Sequence, residues 1–299
     1  MEWKNIELDD RERLNEFLLG RFQTGDLTFT NLFIWRIGKN LKYKINDDIL
    51  YIKGTEDKSE FYYIPLPKHG DFRKIKKQIS ELLKVNTVIR AVPEGVRILL
   101  EDYFSFQEER DRFDYLYKVE KLIELKGRKF HNKKNQVNRF EKIYDFSYEK
   151  IDSTNIKEVM DFEDKWCQDR ECSIYKGLDK ESLGIREIFE NYESLYLKGG
   201  LLRVQGDIVA FSIGEEITPN TGLIHIEKGD IKYQGVYQEM NKIFLKKEFS
   251  HLEYVNREED LGIDGIKKAK ESYNPAMLLK KYIITGEKDL KIEKSVKKC

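Results

Sequence analysis

Four ionisable residues followed by a lysine-rich helix make 255–275, VNREEDLGIDGIKKAKESYNP, the segment of the chain best suited to chemistry. The apolar run before it predicts a strand that ends near Asn256, and α/β sheets place ligands at the carboxyl ends of their strands. A carboxylate here can take the proton of an amine, and a guanidinium can hold a phosphate or an ester oxygen. The plainer alternative is a surface helix whose preceding acids are favoured by the helix dipole. The residues concerned are Arg257, Glu258, Glu259 and Asp260.

The lysines of this segment lie inside the predicted helix GIDGIKKAKESY, whereas the acids precede it. Lys267 and Lys270 share one face with Asn274 by their helical spacing. In a purely solvated helix, acids and lysines would alternate at i, i+4 instead. Both interpretations, a site and a solvated helix, stay open on composition alone. The residues predicted to pack inward are Ile266, Ala269 and Tyr273.

The strand HIEKGD carries a second candidate carboxylate. Strict alternation along a strand puts His225 and Glu227 on the same face. Glu227 in that position can act as a general base toward an amine. The alternative is a pair of polar groups on a half-exposed sheet, and that is the interpretation we favour for His225.

The turn KGDIKYQGVYQEM leads from this strand into a helix, and such turns bind phosphates through backbone N–H groups at the helix N-terminus. Gln234, Gly235 and Tyr237 are the candidate cofactor contacts. The turn has one glycine where the acetyl-CoA pattern needs at least two, so an ordinary turn that uses glycine for its backbone freedom is the alternative. Bulky Val236 and Tyr237 would crowd a pyrophosphate, which argues against CoA.

The segment GRKFHNKKNQVNRFEKIY predicts a helix with a narrow apolar stripe and cations over most of its remaining surface. Such a helix can follow a phosphate backbone, and aromatic side chains at its ends can stack on exposed bases. Charge runs of this kind also occur as solvated linker helices. The predicted nucleic-acid contacts are Arg128, Lys129, Lys133, Lys134 and Arg139.

The chain of 299 residues is long enough for two domains, and 54 basic residues balance 54 acidic ones, which excludes wholesale attraction to polyanions. Its start is polar and acidic rather than a secretory signal, and no apolar run approaches the roughly 18 residues of a membrane span. Cys167, Cys172 and Cys299 lack metal-ligand spacing and indicate reduced thiols. Without a partner constellation, a thiol nucleophile is not expected. These features predict a cytoplasmic protein.

Hydrophobic periodicity predicts mixed α and β structure throughout. The first half contains helices at DDRERLNEFLLGRF and FRKIKKQISELLKV and a hairpin around 46–48. The second half reads β-α-α-β-β-β-α-β-α-β, with a clear hairpin around Gln205, Gly206 and Asp207 and a single final strand at AMLLKKYII. This order predicts an α/β sheet with a cleft near one splay point.

The hairpin, strand and glycine-containing turn of the second half resemble the GNAT acyltransferase superfamily, and the first half resembles a degraded copy. Three segments resemble the Fem-type peptidyltransferases and the C-terminal domain of phosphatidylglycerol lysyltransferases more closely: GRKFHNKKNQVNRFEKIYDFSYEKI, GLLRVQGDIVAFSIGEEI and KAKESYNPAMLLKKYI. VNREEDLGIDGIKKAKESYNP, HIEKGD and YQGVYQ are similar to a soluble bacterial branch of the lysyltransferase family. The resemblance implies tandem GNAT-like domains at 1–126 and 145–299, joined by a basic linker helix at 127–144. Mixed, mostly antiparallel sheets flanked by helices are expected, with a site only in the second domain.

The same resemblance implies transfer of an acyl or aminoacyl group to an amine or hydroxyl, without a covalent intermediate. Aminoacyl-tRNA and acyl-CoA are the candidate donors, and tRNA is the candidate macromolecular partner. It also turns the open choice at 255–275 toward a site. The implied catalytic residues are Glu227, Glu258 and Asp260, and the implied substrate contacts are Arg257, Lys267, Lys270, Tyr273 and Lys281.

Two other functions compete with aminoacyl transfer. One is a GNAT-derived protein that binds tRNA or a small amino compound without turnover, and the other is an acetyl-CoA-dependent N-acetyltransferase. The lysyltransferases join their domain to a membrane-spanning half. No such half is expected here, and its expected absence weighs against a lipid acceptor.

Overall fold

Residues 2–84, 87–169 and 178–288 are described by a computed structural model of the chain, and they form two β-sheets with helices packed around them. The first sheet has eight strands in the order β1-β2-β3-β4-β6-β15-β7, with β5 paired to β3. Its strands are β1 (Lys4–Asn5), β2 (Lys42–Asn46), β3 (Ile49–Glu56), β4 (Ser59–Tyr63), β5 (Leu66–Pro67), β6 (Val88–Pro93), β7 (Phe104–Glu108) and β15 (Lys281–Glu287).

The second sheet has seven strands in the order β14-β8-β13-β12-β11-β10-β9. Among the described residues, only the β4–β6 and β12–β13 pairs are parallel, so both sheets are mixed and mostly antiparallel, as predicted. Its strands are β8 (Asp114–Lys118), β9 (Phe146–Lys150), β10 (Lys198–Val204), β11 (Asp207–Thr218), β12 (Thr221–Gly229), β13 (Tyr254–Asn256) and β14 (Met277–Leu279).

Helices cover the faces of the two sheets, and each described helix is too short or too polar to cross a lipid bilayer. The amphipathic patterns explain their packing. Leu14, Phe17 and Leu18 are buried on one face of α1, and Ile79 is buried on the inward face of α3. The helices are α1 (Arg11–Leu18), α2 (Phe29–Trp35), α3 (Lys76–Lys84), α4 (Glu94–Leu100), α5 (Val119–Glu124), α6 (His131–Ile143), α7 (Ile156–Asp169), α8 (Leu178–Glu190), α9 (Val236–Glu248) and α10 (Asp264–Glu271).

The predicted elements of the second half are present in the predicted order, and the hairpin β10–β11 turns at Gln205 and Gly206. The single final strand is wrong. AMLLKKYII divides into β14, which pairs with β8 in the second sheet, and β15, which lies between β6 and β7 in the first. Both apolar runs suit a buried strand, so their pattern gives no sign of the crossing between sheets.

Each sheet therefore takes a strand from the other part of the chain: β8 from the first half and β15 from the C-terminal end. The division into domains at 1–126 and 145–299 stays a prediction. What the exchange does is bring Asp114 of β8 and Lys281 of β15 next to the segment that follows β13.

Candidate functional site

An opening in the second sheet brings the predicted residues together. The parallel strands β12 and β13 pair only from Thr221↔Tyr254 to Leu223↔Asn256, whereas β12 continues to Gly229. Beyond that point the strands part, and we call the gap between 224–229 of β12 and 257–259 after β13 the wedge. A splayed parallel pair is where α/β sheets hold ligands, so the wedge is the candidate site.

A β-bulge separates the two polar residues of β12. Ile213 pairs with Ile226 and Gly214 pairs with Ile224, which leaves His225 without a partner in the ladder. His225 contacts Asn31 of α2, whereas Glu227 contacts Asn241 of α9. The prediction that His225 and Glu227 share a face is therefore wrong, because an extra residue in a strand shifts every side chain beyond it to the opposite face.

The first face of the wedge looks toward α2 and centres on His225. Its Nε2 lies 3.1 Å from Glu215 Oε1, and its Nδ1 lies 3.2 Å from Asn31 Oδ1 and 3.7 Å from Glu258 Oε1. Asn31 Nδ2 donates to Glu258 Oε1 at 2.7 Å. Burial alone would lower the pKa of His225, but hydrogen bonds and charges of Glu215 and Glu258 outweigh it and raise the pKa to about 9. One imidazolium thus faces two carboxylates at neutral pH.

The second face looks toward α6 and α9 and centres on Arg257. Its Nη2 donates to Glu227 Oε1 at 2.8 Å, and Asn241 Nδ2 donates to Glu227 Oε2 at 3.3 Å. The guanidinium stands 4.9 Å from the ring centroid of Tyr273 and 5.9 Å from that of Tyr117. Arg257 Nη1 is buried and has no hydrogen-bond partner among the described residues. A buried cationic donor without an acceptor is suited to an anionic ligand.

The predicted basic helix contributes to this second face. Lys133 Nζ lies 4.3 Å from the ring centroid of Tyr273, on which Arg257 also stacks. Burial and the charge of Arg257 lower the pKa of Lys133. Burial raises the pKa of Tyr273 to about 12, so the ring stays neutral between the two cations. The remaining predicted nucleic-acid residues are exposed and form no ion pair within 2–84, 87–169 and 178–288: Arg128, Lys129, Lys134 and Arg139.

Lys270 lies beneath the wedge rather than in it. Its Nζ donates to the backbone carbonyls of Arg257 at 2.6 Å, Glu258 at 3.0 Å and Glu259 at 2.5 Å. An ammonium has three donors, and all three hold the loop. Burial lowers the pKa of Lys270, against the charges of Glu258 and Glu259. This geometry makes Lys270 a positioning residue, and a substrate contact by Lys270 stays a prediction.

Lys281 is also enclosed by protein groups. Its ammonium pairs with Asp26, with Asp114 Oδ1 at 2.7 Å and with Glu259 Oε2 at 3.5 Å, and the side chain is 1% exposed. Burial opposes the charge of Lys281, but the three carboxylates raise its pKa well above the usual value. Burial likewise raises the pKa of Asp114 to about 7, although Lys281 lowers it. These groups tie β15 and β8 to the loop after β13.

Asp260 and Lys267 lie outside the wedge. Asp260 accepts from Tyr115 Oη at 2.6 Å, Arg110 Nη1 at 3.0 Å and the Gly262 backbone N at 2.9 Å. Burial would raise its pKa, but these hydrogen bonds lower it. Both oxygens of Asp260 are therefore occupied. Lys267 is half-buried on α10 and joins no ion pair among the described residues.

The predicted phosphate-binding turn is covered by α6. Gly235 has φ +89°, and a Cβ there would meet the carbonyl oxygen of Gln136 at 2.3 Å. The missing side chain at Gly235 lets α6 and the start of α9 touch. This close contact accounts for a glycine at position 235 without any bound phosphate. Tyr237 packs toward Gly229, and Gln234 is exposed.

Sequence reasoning missed Asn31 and Glu215. Asn31 is a buried polar residue inside the apolar helix FTNLFIW. A polar residue among apolar neighbours needs a hydrogen-bond partner, and this feature of the sequence could have identified Asn31 as a candidate. Glu215 follows the apolar strand IVAFSIG, where nothing distinguishes it from any exposed acid.

The cysteines offer no site chemistry among the described residues. Cys167 on α7 is disulfide-bonded, which differs from the expected reduced thiols, and Cys172 and Cys299 lie outside the described residues.

Comparisons with known proteins give the family context. The family model described as "Phosphatidylglycerol lysyltransferase, C-terminal" matches residues 19–285. A protein of unknown function from Bacteroides thetaiotaomicron is 35% identical, with a TM-score of 0.86 over 95% of this chain and 98% of its own. L-PGS from Bacillus licheniformis has a TM-score of 0.65 at 12% identity over 96% and 94% of the two chains. FemX has a TM-score of 0.57 at 8% identity, over 95% of this chain and 98% of the FemX chain.

At these low identities L-PGS and FemX show the fold alone, and they confirm the predicted Fem-type, GNAT-like architecture. An uncharacterised protein from Mycoplasmoides gallisepticum is 27% identical over 173 residues, which are 57% of this chain. The chain matches 55% of the length of that curated relative.

Proposed function

Because the chain belongs to the phosphatidylglycerol lysyltransferase C-terminal family, we propose that it transfers an acyl or aminoacyl group within the wedge. The donor is aminoacyl-tRNA, and the acceptor is an amine or a hydroxyl. The observation that carries the proposal is the meeting of Lys133 and Arg257 on the ring of Tyr273. It joins the basic helix to the carboxylates of the wedge.

The two cations fit the anionic end of the donor. Lys133 is half-buried, the Arg257 side chain is 13% exposed, and Arg257 Nη1 has no acceptor among the described residues. The exposed cations of 128–139 extend from this point along the outside of α6. A phosphate backbone that follows these cations would leave its terminal phosphate or ester beside Arg257.

Among the three predicted catalytic carboxylates, Glu258 is the one with a free oxygen. Glu227 uses both oxygens on Arg257 and Asn241, and Asp260 uses both on its own anchors. Glu258 uses Oε1 on Asn31, and Oε2 has no partner among the described residues. Its φ of 55° lies in the left-handed region, a strained conformation that is common at functional positions.

The proposed reaction has one transfer step. The acceptor nitrogen or oxygen bonds to the ester carbonyl carbon while Glu258 takes the acceptor proton. Arg257 Nη1 donates to the oxygen that becomes negative in the tetrahedral state. The bond from this carbon to the donor ribose oxygen then breaks, and that oxygen leaves with the proton held by Glu258. Glu227 acts through Arg257 as a positioning residue.

Acetyl-CoA is a weaker candidate donor. The turn that would hold its pyrophosphate has Gly235 packed against the Gln136 carbonyl. That contact removes the space that a phosphate needs above the helix N-terminus.

The test uses tRNA charged with labelled amino acids and a mixture of amines and hydroxyl compounds. We expect protein-dependent transfer of label from tRNA to an acceptor, lost in Glu258→Gln and retained in Glu60→Gln, a surface glutamate of β4. Binding of tRNA without loss of the ester would replace the proposal with a binding protein. Thermal stabilisation by acetyl-CoA alone would replace it with an acetyltransferase.

A further inference from the structure

A cleft of about 250 Å³ opens between α1, the segment leading to α2, and strands β10 and β11. Its volume suits a small molecule rather than a macromolecule. We call it the α1–β11 cleft. Its apolar walls include Leu18, Phe22, Leu27, Phe29 and Ile217.

The rim of the α1–β11 cleft is unusually apolar. Tyr196 is 73% exposed and Leu19 is 66% exposed, more than any other large apolar residue among the described residues, and both line the cleft. Tyr196 also has φ 54°, a left-handed conformation that an L-residue adopts at a cost. Exposed apolar side chains around a concave opening are typical of ligand sites.

The inner end of the cleft is acidic and touches the wedge. Glu215 lines the cleft, accepts from Thr30 Oγ1 at 3.0 Å and lies 3.1 Å from His225 Nε2. His225 lies 3.7 Å from Glu258 on its other side. Two carboxylates share one imidazolium, so the inner end keeps a net negative charge.

The basic residues of the lining do not cancel this charge. Lys198 pairs with Glu216, which also lies 3.1 Å from His251 Nε2. Arg11 is at the rim, with its guanidinium 4.2 Å from the ring centroid of Tyr196. The cleft therefore combines an apolar body and rim with an acidic inner end.

We propose that the α1–β11 cleft binds the acceptor of the reaction, a small primary amine with an apolar body. The ammonium lies at Glu215 and the apolar body lies between α1 and Ile217. The ammonium gives one proton to solvent before the transfer step, and the neutral amine then bonds to the ester carbon while Glu258 takes a second proton. This inference rests on the proposed function and names the class of its second substrate. A cationic head is favoured over a hydroxyl because Glu215 and Glu258 share one cation, His225, and a second positive charge stabilises the two carboxylates.

Isothermal titration of the full chain, without tRNA, tests the site with 2-phenylethylamine and with 3-phenylpropionate, which has a similar apolar body and the opposite charge. We expect the amine to bind and the carboxylate to bind at least tenfold more weakly. Glu215→Gln should weaken amine binding about tenfold or more, because a hydrogen bond to a charged group is lost. Leu19→Ser with Tyr196→Ser should also weaken it, whereas Ile231→Ser, at an equally exposed residue away from the cleft, should not.

Asn15→Trp, which fills the cleft from α1, gives a second variant if Glu215→Gln does not fold. Equal binding of amine and carboxylate, or amine binding that survives both variants, overturns the assignment. Amine binding without transfer from charged tRNA would refute the proposed function but not the assignment of the cleft. Transfer from charged tRNA without measurable amine binding in the titration would refute the assignment of the cleft but not the proposed function.

Discussion

Lys133 of α6 and Arg257 behind β13 place their cationic groups on one aromatic ring, 4.3 Å and 4.9 Å from the centroid of Tyr273. Their like charges repel each other. Burial lowers the pKa of Lys133, and the charge of Arg257 lowers it further. Glu227 neutralises Arg257, but Lys133 forms no ion pair among the described residues. The pair is thus prepared for an anion that the described residues do not supply.

Lys133→Met should separate binding from stability. The variant loses a like-charge contact, so its free energy of unfolding should stay the same or rise by up to about 1 kcal/mol. Its affinity for tRNA should fall, and the slope of log affinity against log salt should decrease by about one. Filter binding over a salt series and urea denaturation measure the two effects. Lys4→Met, on the edge strand β1, should change neither; a Lys133→Met protein with an unchanged salt slope would contradict a phosphate contact.

Gly235→Ala should disturb the contact between α6 and α9. The substitution is strained at φ +89° and drives a Cβ against the Gln136 carbonyl, so we expect a loss of about 2–4 kcal/mol in unfolding free energy. The matched control is Gly206→Ala, with φ +92° and no atom within 4 Å of the added Cβ. It should lose only about 1 kcal/mol, and chemical denaturation compares the two. Equal losses would mean that α6 does not lie on this turn.

Lys270→Met should release the loop at 257–259. Three backbone carbonyls lose their donor, and we expect a loss of about 3 kcal/mol in stability together with loss of transfer activity. Lys268→Met changes an exposed lysine of the same helix and should stay within about 0.5 kcal/mol of the parent chain. Hydrogen exchange of the loop amides gives the direct measurement. A stable Lys270→Met protein with an ordered loop and weaker substrate binding would restore the predicted substrate contact.

The charge of His225 should make stability depend on pH. Its folded pKa of about 9 lies above the ordinary value of 6.5, so its contribution is complete below about pH 6.5 and is lost as pH rises through about 9. The difference corresponds to roughly 3 kcal/mol. His225→Gln should flatten the fall in unfolding free energy between these pH values, while His251→Gln, at an exposed histidine, should leave it unchanged. Denaturation at pH 6, 7.5 and 9.5 measures the slopes, and parallel slopes for the parent chain and His225→Gln would refute the charged imidazole.

The sequence by itself determined the kinds of most elements and their order, apart from the final strand, which divides into β14 and β15. Periodicity placed α1, α3 and the two hairpins, because a residue's spacing along its own helix or strand decides which side faces the core. It also placed Arg257 and Glu258 at the end of a strand, where the structure opens the wedge. The stripe of α6 was visible for the same reason: Val137 and Phe140 are buried as their spacing requires.

Only the tertiary structure decided which residues meet. The bulge at His225 depends on the register between β11 and β12, and no property of β12 alone reveals it. Asn31 and Glu258 lie 227 positions apart in the chain, so their contact depends on how α2 packs on the second sheet. Lys270 and Lys281 look like surface lysines in the sequence, but long-range packing buries both among oxygens. Local spacing fixes the direction of a side chain within its element, whereas the partner that it finds is set by the packing of distant elements.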